Sequence, residues 1–452
     1  MKNKRIAVIG SGITGLSFSV VLKKYGLQVE VFEKNDLPGG ALKSVQNDGW
    51  LLEYGPNTLL LKDKVVADFL KETSLEKEIL IANEHSSKRY IVKNGIPEPL
   101  PASMWNAVTT PLFSLKGKLR ILIEPFIRKS ENPDQTVAEF VERRLGEEVL
   151  NYAINPFVAG IFANRPEELS LRHAFPAMHN LEAEYGSMIW GSFAGAKKRK
   201  EQGRIPRKLI SFKNGIQKLP ETLAALAGNI HVNHKVQKIE KRTGGWFLES
   251  DGREFGPFSK VILNTPLYHI GKSLFPVSDN DYEMLQKVYY PPLSVMHLGF
   301  RKDQVEHLLD GFGFLVPELE QRNILGALFS SSLFEGRAPD GHHLLTVFIG
   351  GGRQPELASL PTDKMLKLVL EEVEDLLGVR GEPVFMDHVY WPHAIPAYHT
   401  GYDEILRTFK NIEARNPGLH LAGNFRYGIS VPDCIKNGIE LADQITKDLS
   451  SI

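Results

Sequence analysis

The sequence predicts an α/β protein whose parallel-sheet domain is discontinuous: the first residues open it, a helical insert and a strand-rich domain interrupt it, and the last residues close it. Three observations predict this. A short apolar strand, a glycine-rich turn and a helix open the chain between Arg5 and about Tyr25. Strand patterns return from Ile230 to Pro266 and from Tyr290 to Tyr390, after a strand-poor stretch from roughly Met104 to Lys200. Residues 419–442 then repeat the opening theme, with an apolar strand tail, small and polar residues, and a helix from Pro432.

Composition bounds the function classes. A chain of 452 residues exceeds one hydrophobic core, so two or three domains are expected. The 54 basic residues balance 54 acidic ones, which gives no electrostatic case for nucleic acid. Cys434 is the only cysteine, which excludes an intramolecular disulfide and a CxxC site and suits a reducing compartment. The start, MKNKRIAVIG, reads straight into a strand and leaves no room for a signal peptide. No run approaches the roughly 18 apolar residues of a membrane span, so a cytoplasmic protein is expected, at most peripheral on the inner face of the cytoplasmic membrane.

The elements follow in order. Arg5 to Ile9 enters Gly10-Ser-Gly12-Ile-Thr-Gly15, and Gln28 to Phe32 is the second strand, ended by Glu33, 18 residues past Gly15. Glycines at these spacings permit a tight turn, close approach of backbone to pyrophosphate and close helix packing, and the acid can accept from ribose hydroxyls. This is a Rossmann-like dinucleotide unit. Pro38-Gly39-Gly40 follows, then an apolar strand at Trp50 to Leu52 and Glu53-Tyr54-Gly55-Pro56-Asn57-Thr58. Thr136 to Leu150 reads as an amphipathic helix, and Ser211 to about Ala227 as another. Short strands are expected at 230–232, 236–239, 246–250 and 261–263, then a helix at Thr362 to Leu377 and a strand at Pro383 to Tyr390.

The segment from Gly10 to Thr58 resembles the FAD-binding half of the amine oxidase superfamily, where a second Gly-Gly turn and a G(P/A)N segment approach the flavin. More specific are six blocks in the middle: KRYIVKNGIPEPLP (88–101), LRILIEPF (119–126), INPFVAGIFANRPEELSLRHAFPAM (154–178), YPPLSVMHLGF (290–300), GFGFLVP (311–317) and LGALFSSSLFEGRAP (325–339). Together they resemble the protoporphyrinogen oxidase and coproporphyrinogen III oxidase family, in its plant-type branch. The likeness runs from Lys4 to about Leu449.

That resemblance implies FAD-dependent oxidation of protoporphyrinogen IX, or of coproporphyrinogen III, with oxygen as acceptor and hydrogen peroxide as product. It implies an FAD-binding domain in parts at about 1–85, 206–275 and 394–452, a substrate domain at 86–103 and 276–393, and the helical insert at 104–205. By the same resemblance Gly10, Gly12 and Gly15 contact the pyrophosphate, Glu33 the adenosine ribose and the main chain of Val236 the adenine, while Gly39 and Gly40 form the second turn. Gly55, Pro56, Asn57, Trp391, Gly423, Asn424, Ile429, Ser430 and Val431 lie at the pyrophosphate or flavin side. Lys93, with Arg89 as second choice, is the cation for a substrate propionate, and Gly160, Leu315, Leu328 and Phe348 contact the tetrapyrrole. From residue type alone, Lys93 is equally a solvated turn lysine, and Val236, Trp391, Leu315, Leu328 and Phe348 are equally core residues. Two departures from the plant-type pattern stand out: Ala163-Asn164 replaces a Gly-Gly pair, and Tyr427 replaces a glycine.

No catalytic triad, metal cluster or paired carboxylates is evident, which suits a reaction carried by the flavin. The segment around Trp105, Leu112, Phe113, Lys116, Lys118, Arg120 and Ile121 mixes apolar and basic residues as an interfacial surface does. The basic run at 197–208 adds seven basic residues against one acid. Core packing and a solvated face explain both equally well. Homodimer formation and hand-over of product to a chelatase stay open. So do two other readings: an amine oxidase or carotene desaturase relative, which leaves the six blocks unexplained, and a non-catalytic carrier binding FAD and porphyrin.

Overall fold

Arg5–Ile9 is a strand because four of its five side chains are apolar and buried from both sides, the signature of a central parallel strand. It pairs in parallel with Gln28–Phe32 on one side and Lys260–Leu263 on the other, and the sheet is completed by Ile230–His231 and Leu419–Leu421. Sheet order along the edge is therefore 230, 28, 5, 260, 419, assembled from four separated stretches of chain. The computed structural model describes residues 5–101, 106, 109–201 and 205–450, the side chains of 196–201 excepted.

One face of this sheet carries helix Ile13–Lys24, and against it lies the closing helix Val431–Ser450. Their backbones meet at Gly438, where a Cβ atom would stand 2.5 Å from the Thr14 carbonyl oxygen and 3.0 Å from the Phe18 nitrogen. A glycine in a helix interior costs about 1 kcal/mol against alanine. Here it permits an approach that no side chain allows. The first and last helices of the domain thus form one layer over the sheet. Its other face is covered by the antiparallel strands Val236–Arg242, Gly245–Ser250 and Arg253–Phe258 and by helix Tyr402–Arg415.

A second sheet of seven strands runs in the order Phe385–Trp391, Leu293–Arg301, His342–Gly350, Gly326–Phe329, Gly311–Leu315, Lys88–Lys93, Ile96–Pro99. Helix Thr362–Leu377 packs on one face with Met365, Val369, Val373 and Leu377 against Met296, Leu345 and Val347. The opposite face turns toward the nucleotide domain and the helical insert, and it carries the candidate substrate residues.

The insert holds helices Leu115–Leu122, Val137–Leu145, Asn155–Phe162, Pro176–Tyr185 and Met188–Glu201. Arg144 is wholly buried at its centre, with Nη1 2.7 Å from Glu124 and Nη2 2.6 Å from Glu182. Burial works to raise the Glu124 pKa, yet hydrogen bonds from Ser187, Met188, Ile189 and Arg144 outweigh it and hold the carboxyl below its ordinary value. Charge and partners are matched in this network, so Glu124 stays ionised and fastens the start of the last insert helix.

Two expected elements differ. Residues 208–212 form a strand, pairing antiparallel with Leu59–Leu61 and Ile79–Ile81, and the helix begins only at Lys218. Gly215 lies between them at φ +88°, which an α-helix cannot include. The helix expected over Thr136 to Leu150 is capped by Thr136, with Glu139 completing a capping box, and stops at Gly146, φ +92°. Helix Tyr402–Arg415 was not expected at all. Trp105 and the basic side chains from Lys197 to Arg204 lie outside the described residues.

Replacing Gly438 with valine is expected to destabilise the protein by about 1–3 kcal/mol through overpacking against Thr14 and Phe18. Urea unfolding measures this. An unchanged midpoint would show that the two helices do not meet there.

Candidate functional site

The site forms where the strands of the parallel sheet end, the edge at which open α/β sheets bind ligands. Gly10 has φ +96°, and a Cβ there would stand 2.3 Å from the Asn264 carbonyl oxygen. At Gly15 a Cβ would meet Asn264 Nδ2 at 2.5 Å and the Gly10 oxygen at 2.8 Å. The turn is therefore a cradle of bare backbone. Asn264, unforeseen as a site residue, follows strand Lys260–Leu263 and donates from Nδ2 to the carbonyls of Gly10 and Gly12 at 3.0 and 3.3 Å. That holds the carbonyls of the turn, while the Gly10 and Ser11 amides donate to the Phe32 oxygen at 2.8 Å and to Glu33 Oε2 at 3.0 Å. A polar residue at the carboxyl end of a buried parallel strand was the signal available for it.

The second glycine turn touches the first. Gly39 donates its N–H to the Ser11 oxygen at 3.1 Å, and a Cβ on Gly40 would lie 3.6 Å from the Gly12 Cα. Glu33 is buried, and its Oε2 accepts from the Ser11 amide at 3.0 Å and hydroxyl at 2.6 Å, while Oε1 accepts from Asn35 N at 2.9 Å. Of roughly four acceptor positions on a carboxylate, one on Oε1 stays open, which fits a ribose hydroxyl. His234 N donates to Glu33 O at 2.8 Å, bringing Val236 to the same end of the sheet. Val236 is also a buried core residue, so both of its expected roles coexist.

Gly55, Pro56 and Asn57 follow the hairpin Ser44–Asn47 and Trp50–Glu53. A Cβ on Gly55 would fall 2.0 Å from the Ala41 oxygen, so only glycine permits this crossing of the two turns. Asn57 Nδ2 donates back to the Gly55 oxygen at 3.1 Å. The hairpin hangs from the seven-stranded sheet: Trp391 Nε1 donates to Tyr54 O at 2.9 Å, and His297 Nε2 lies 3.2 Å from Glu53 O. Neither His297 nor Arg337, which pairs with Glu53 at 3.2 Å, was foreseen. Burial pushes the Glu53 carboxyl up to about 7, against the pull of Arg337 and the hydrogen bonds from Ser44 and Ile216.

At the far end of the sheet Gly423 has φ +144° and opens the loop to Gly428. Ser430 Oγ accepts from Asp433 N at 3.2 Å and so caps the closing helix, which starts at Val431. Ile429 packs between the cores of the nucleotide domain and the insert. Tyr427 is exposed beneath the Arg426 guanidinium, 5.2 Å from its ring centre.

The candidate substrate residues share one face of the seven-stranded sheet. Register places Leu315, Gly326, Phe348, Val295 and Val389 side by side across five strands, and Gly313, Leu328, Thr346, His297 and Asp387 in the next row. Leu315 and Phe348 flank Gly326, and Leu328 flanks Gly313. Apolar side chains thus alternate with bare backbone, and glycine inside a strand often marks close approach of a ligand. Both glycines were missed as site residues. Over this face lies helix Asn155–Phe162, with Ala159 and Ala163 packed on Val295, Phe348 and Trp391. A Cβ on Gly160 would meet Leu315 Cδ2 at 2.8 Å, so these two expected residues do come together. Ala163 takes φ +50° at the helix end and its oxygen accepts from Gly352 N at 2.7 Å, which is how the turn forms without a Gly-Gly pair.

Lys93 lies on this face of its strand, but its Nζ donates to the carbonyls of Pro111 and Leu112 at 3.0 and 2.8 Å and sits 4.6 Å from the Tyr152 ring centre. It is a clamp on the insert as much as a cation toward solvent. Arg89 lies with its guanidinium over Phe312. Arg353, also not foreseen, is buried and donates to Val316 O at 2.6 Å and Asn155 Oδ1 at 2.6 Å, tying the helix to the sheet.

The profile of the flavin containing amine oxidoreductases matches residues 13–446. Protoporphyrinogen oxidase 2, chloroplastic/mitochondrial, of Arabidopsis thaliana is 36% identical, over all of this chain and 95% of its own. The mitochondrial protoporphyrinogen oxidase of Nicotiana tabacum is 34% identical over 99% of this chain and 96% of its own. Coproporphyrinogen III oxidase of Bacillus subtilis (strain 168) is 26% identical over 96% of each. Among solved structures, a protein of Exiguobacterium sp. 255-15, provisionally assigned as a protoporphyrinogen oxidase, superposes with a TM-score of 0.83 at 21% identity, covering 99% of this chain and all of its own. Reduced UDP-galactopyranose mutase does so with a TM-score of 0.74 at 16% identity, covering 98% and 96%. At these identities the structural likeness speaks for the fold.

A carboxyl raised to about 7 carries a signed consequence. Between an ordinary glutamate value of ~4.3 and about 7, folded Glu53 keeps a proton that the unfolded chain has lost. Its contribution to stability therefore falls as pH rises through that window and is level above it. Glu53→Gln is expected to remove this slope, measured as unfolding free energy from pH 4.5 to 8 for both proteins. Parallel profiles would contradict it.

Proposed function

Because this chain belongs to the flavin-containing amine oxidoreductase family, we propose that it oxidises a porphyrinogen to the porphyrin, with protoporphyrinogen IX as substrate and oxygen as final acceptor. The observation that carries this reading is the pair of neighbouring rows beneath Gly160, one with Leu315 and Phe348 flanking Gly326 and the next with Leu328 beside Gly313. They suit a broad, largely apolar macrocycle. Lys93, Arg165 and Arg353, carried on the segments around the row, are engaged with carbonyls or with Glu318. Few cations are left for carboxylates, which favours the substrate with two propionates over coproporphyrinogen III with four. Two full-length relatives above 30% identity, named as protoporphyrinogen oxidases, support the same choice.

FAD, when bound, supplies a hydride acceptor that oxygen reoxidises, so three rounds remove six hydrogens and form three molecules of hydrogen peroxide. The chain's own residues bind and orient. Gly10 to Gly15, Glu33, Gly39 and Gly40 would hold the adenosine diphosphate part, with Gly423, Asn424 and the capped helix start toward the reactive half. A helix amino terminus there favours negative charge. Leu315, Leu328 and Phe348 would line one side of the macrocycle, and helix Asn155–Phe162 would exclude water above it. Each round also releases a proton from the macrocycle, and we assign no side chain as its acceptor.

Supplied aerobically with each porphyrinogen, the purified protein is expected to generate porphyrin fluorescence faster than autoxidation, and faster with protoporphyrinogen. No acceleration with either would contradict the enzyme reading, and a higher rate with coproporphyrinogen would reassign the substrate.

We further propose that the insert rests on a membrane surface. Leu115, Leu119, Leu122 and Phe126 are exposed by 79, 63, 67 and 83%, and Trp190 and Phe193 by 60 and 70%. Lys116 is exposed on the same helix, Leu115–Leu122, as an anionic surface would favour. No helix among the described residues is long and apolar enough to cross a membrane. Co-sedimentation with vesicles containing anionic lipid is expected for the native protein and should fall several-fold in Phe126→Glu. Native protein that stays in the supernatant would contradict this contact.

A further inference from the structure

Residues 423–428 leave the last strand of the parallel sheet and reach the closing helix without regular structure, so their backbone groups need partners from elsewhere. Tyr398, buried to 3% exposure, supplies two of them at once. Its hydroxyl donates to the Asn424 carbonyl and accepts from the Gly428 N–H at 2.9 Å, spanning the loop from one end to the other. Gly428 is at φ +125°, with the Asp433 side chain filling the place its Cβ would take, so the loop has one shape available at that point.

We propose that Tyr398 is a positioning residue for the flavin: its hydroxyl staples the 423–428 loop into the form that meets the cofactor. The inference rests on the flavin-binding reading of this chain. Burial pushes the phenol pKa well above its ordinary value, so the group keeps the proton it donates. The tyrosine is itself anchored. Its carbonyl accepts from Ser170 N at 2.7 Å, and its ring packs against Phe162 and Tyr402 at centroid separations of 6.5 and 4.7 Å. Phe162 ends the helix that carries Gly160, so the same residue ties the cover of the substrate face to the flavin loop. Neighbours brace the loop without bridging it: Tyr402 donates to Phe425 O at 2.5 Å, and Arg426 pairs with Glu413.

Tyr398→Phe keeps the ring and removes only the staple, which leaves a buried donor and a buried acceptor unpaired, a loss worth roughly ten- to hundredfold in an equilibrium. In the native protein stripped of FAD, hydrogen exchange at the Gly428 amide is expected to be slow, and in Tyr398→Phe fast, with helix Ile13–Lys24 protected equally in both. FAD titration is expected to give a dissociation constant raised about tenfold or more for Tyr398→Phe and by less than threefold for Tyr402→Phe, with a shifted visible flavin spectrum in the first only. Equal FAD affinity and spectrum in native protein and Tyr398→Phe would overturn the proposal, even if Gly428 exchanged faster, since the hydroxyl would then be structural alone. A native protein that binds no FAD would overturn the flavin reading itself and this proposal with it.

Discussion

Asn264 ties two distant parts of the chain together at the point where a nucleotide would rest. Its side-chain amide binds the carbonyls of Gly10 and Gly12, and its own backbone stands where a Cβ on Gly10 would be. The turn can take this form only because strand Lys260–Leu263 has been laid beside Arg5–Ile9, with some 250 residues of chain between them. The same dependence repeats at Gly438 against Thr14. Close backbone contact between remote segments is the constraint under which the domain is built.

From that constraint the rest of the architecture follows. Once strands 5, 28, 230, 260 and 419 share a sheet, the stretches between them must leave and return, and they do so as the insert and the seven-stranded sheet. The hairpin ending at Glu53 is the hinge of this arrangement: it begins beside the Gly39-Gly40 turn and ends under Trp391 and His297. A substrate held on the Leu315 and Phe348 face would therefore be referred to the glycine turns through a short run of hydrogen bonds. Flexible linkage is replaced by direct contact.

Local signals were legible where the pattern is periodic and buried. Strands 5–9 and 28–32 and helix Thr362–Leu377 fall where alternation and spacing put them. A dinucleotide-binding unit was legible in the glycines and Glu33, because those residues answer to a turn and a ribose rather than to the rest of the chain, while FAD as the dinucleotide was legible only through family likeness. That Gly160 and Leu315 come together was expected only through family likeness, since an exposed helical glycine and a strand leucine have no local peculiarity.

What could not be read depended on partners far along the sequence. Asn264, Tyr398, Arg353 and His297 act through backbone groups 26 to about 250 positions away. Ser211 and Phe212 read locally as the start of a helix and end a strand, Lys208–Phe212, because residues 59–61 and 79–81 offer it two edges. Lys93 carries the right charge in the right block, yet the carbonyls of Pro111 and Leu112 claim it.

The central claim is that separated segments make one cofactor cradle. Hydrogen exchange across an FAD titration tests it most directly, read together at Gly10 to Gly15, Gly39 and Gly40, Asn264 and Gly423 to Val431. The account predicts that all four segments gain protection in parallel, with one midpoint. Protection confined to Gly10 to Gly15, or midpoints that differ between segments, would contradict it.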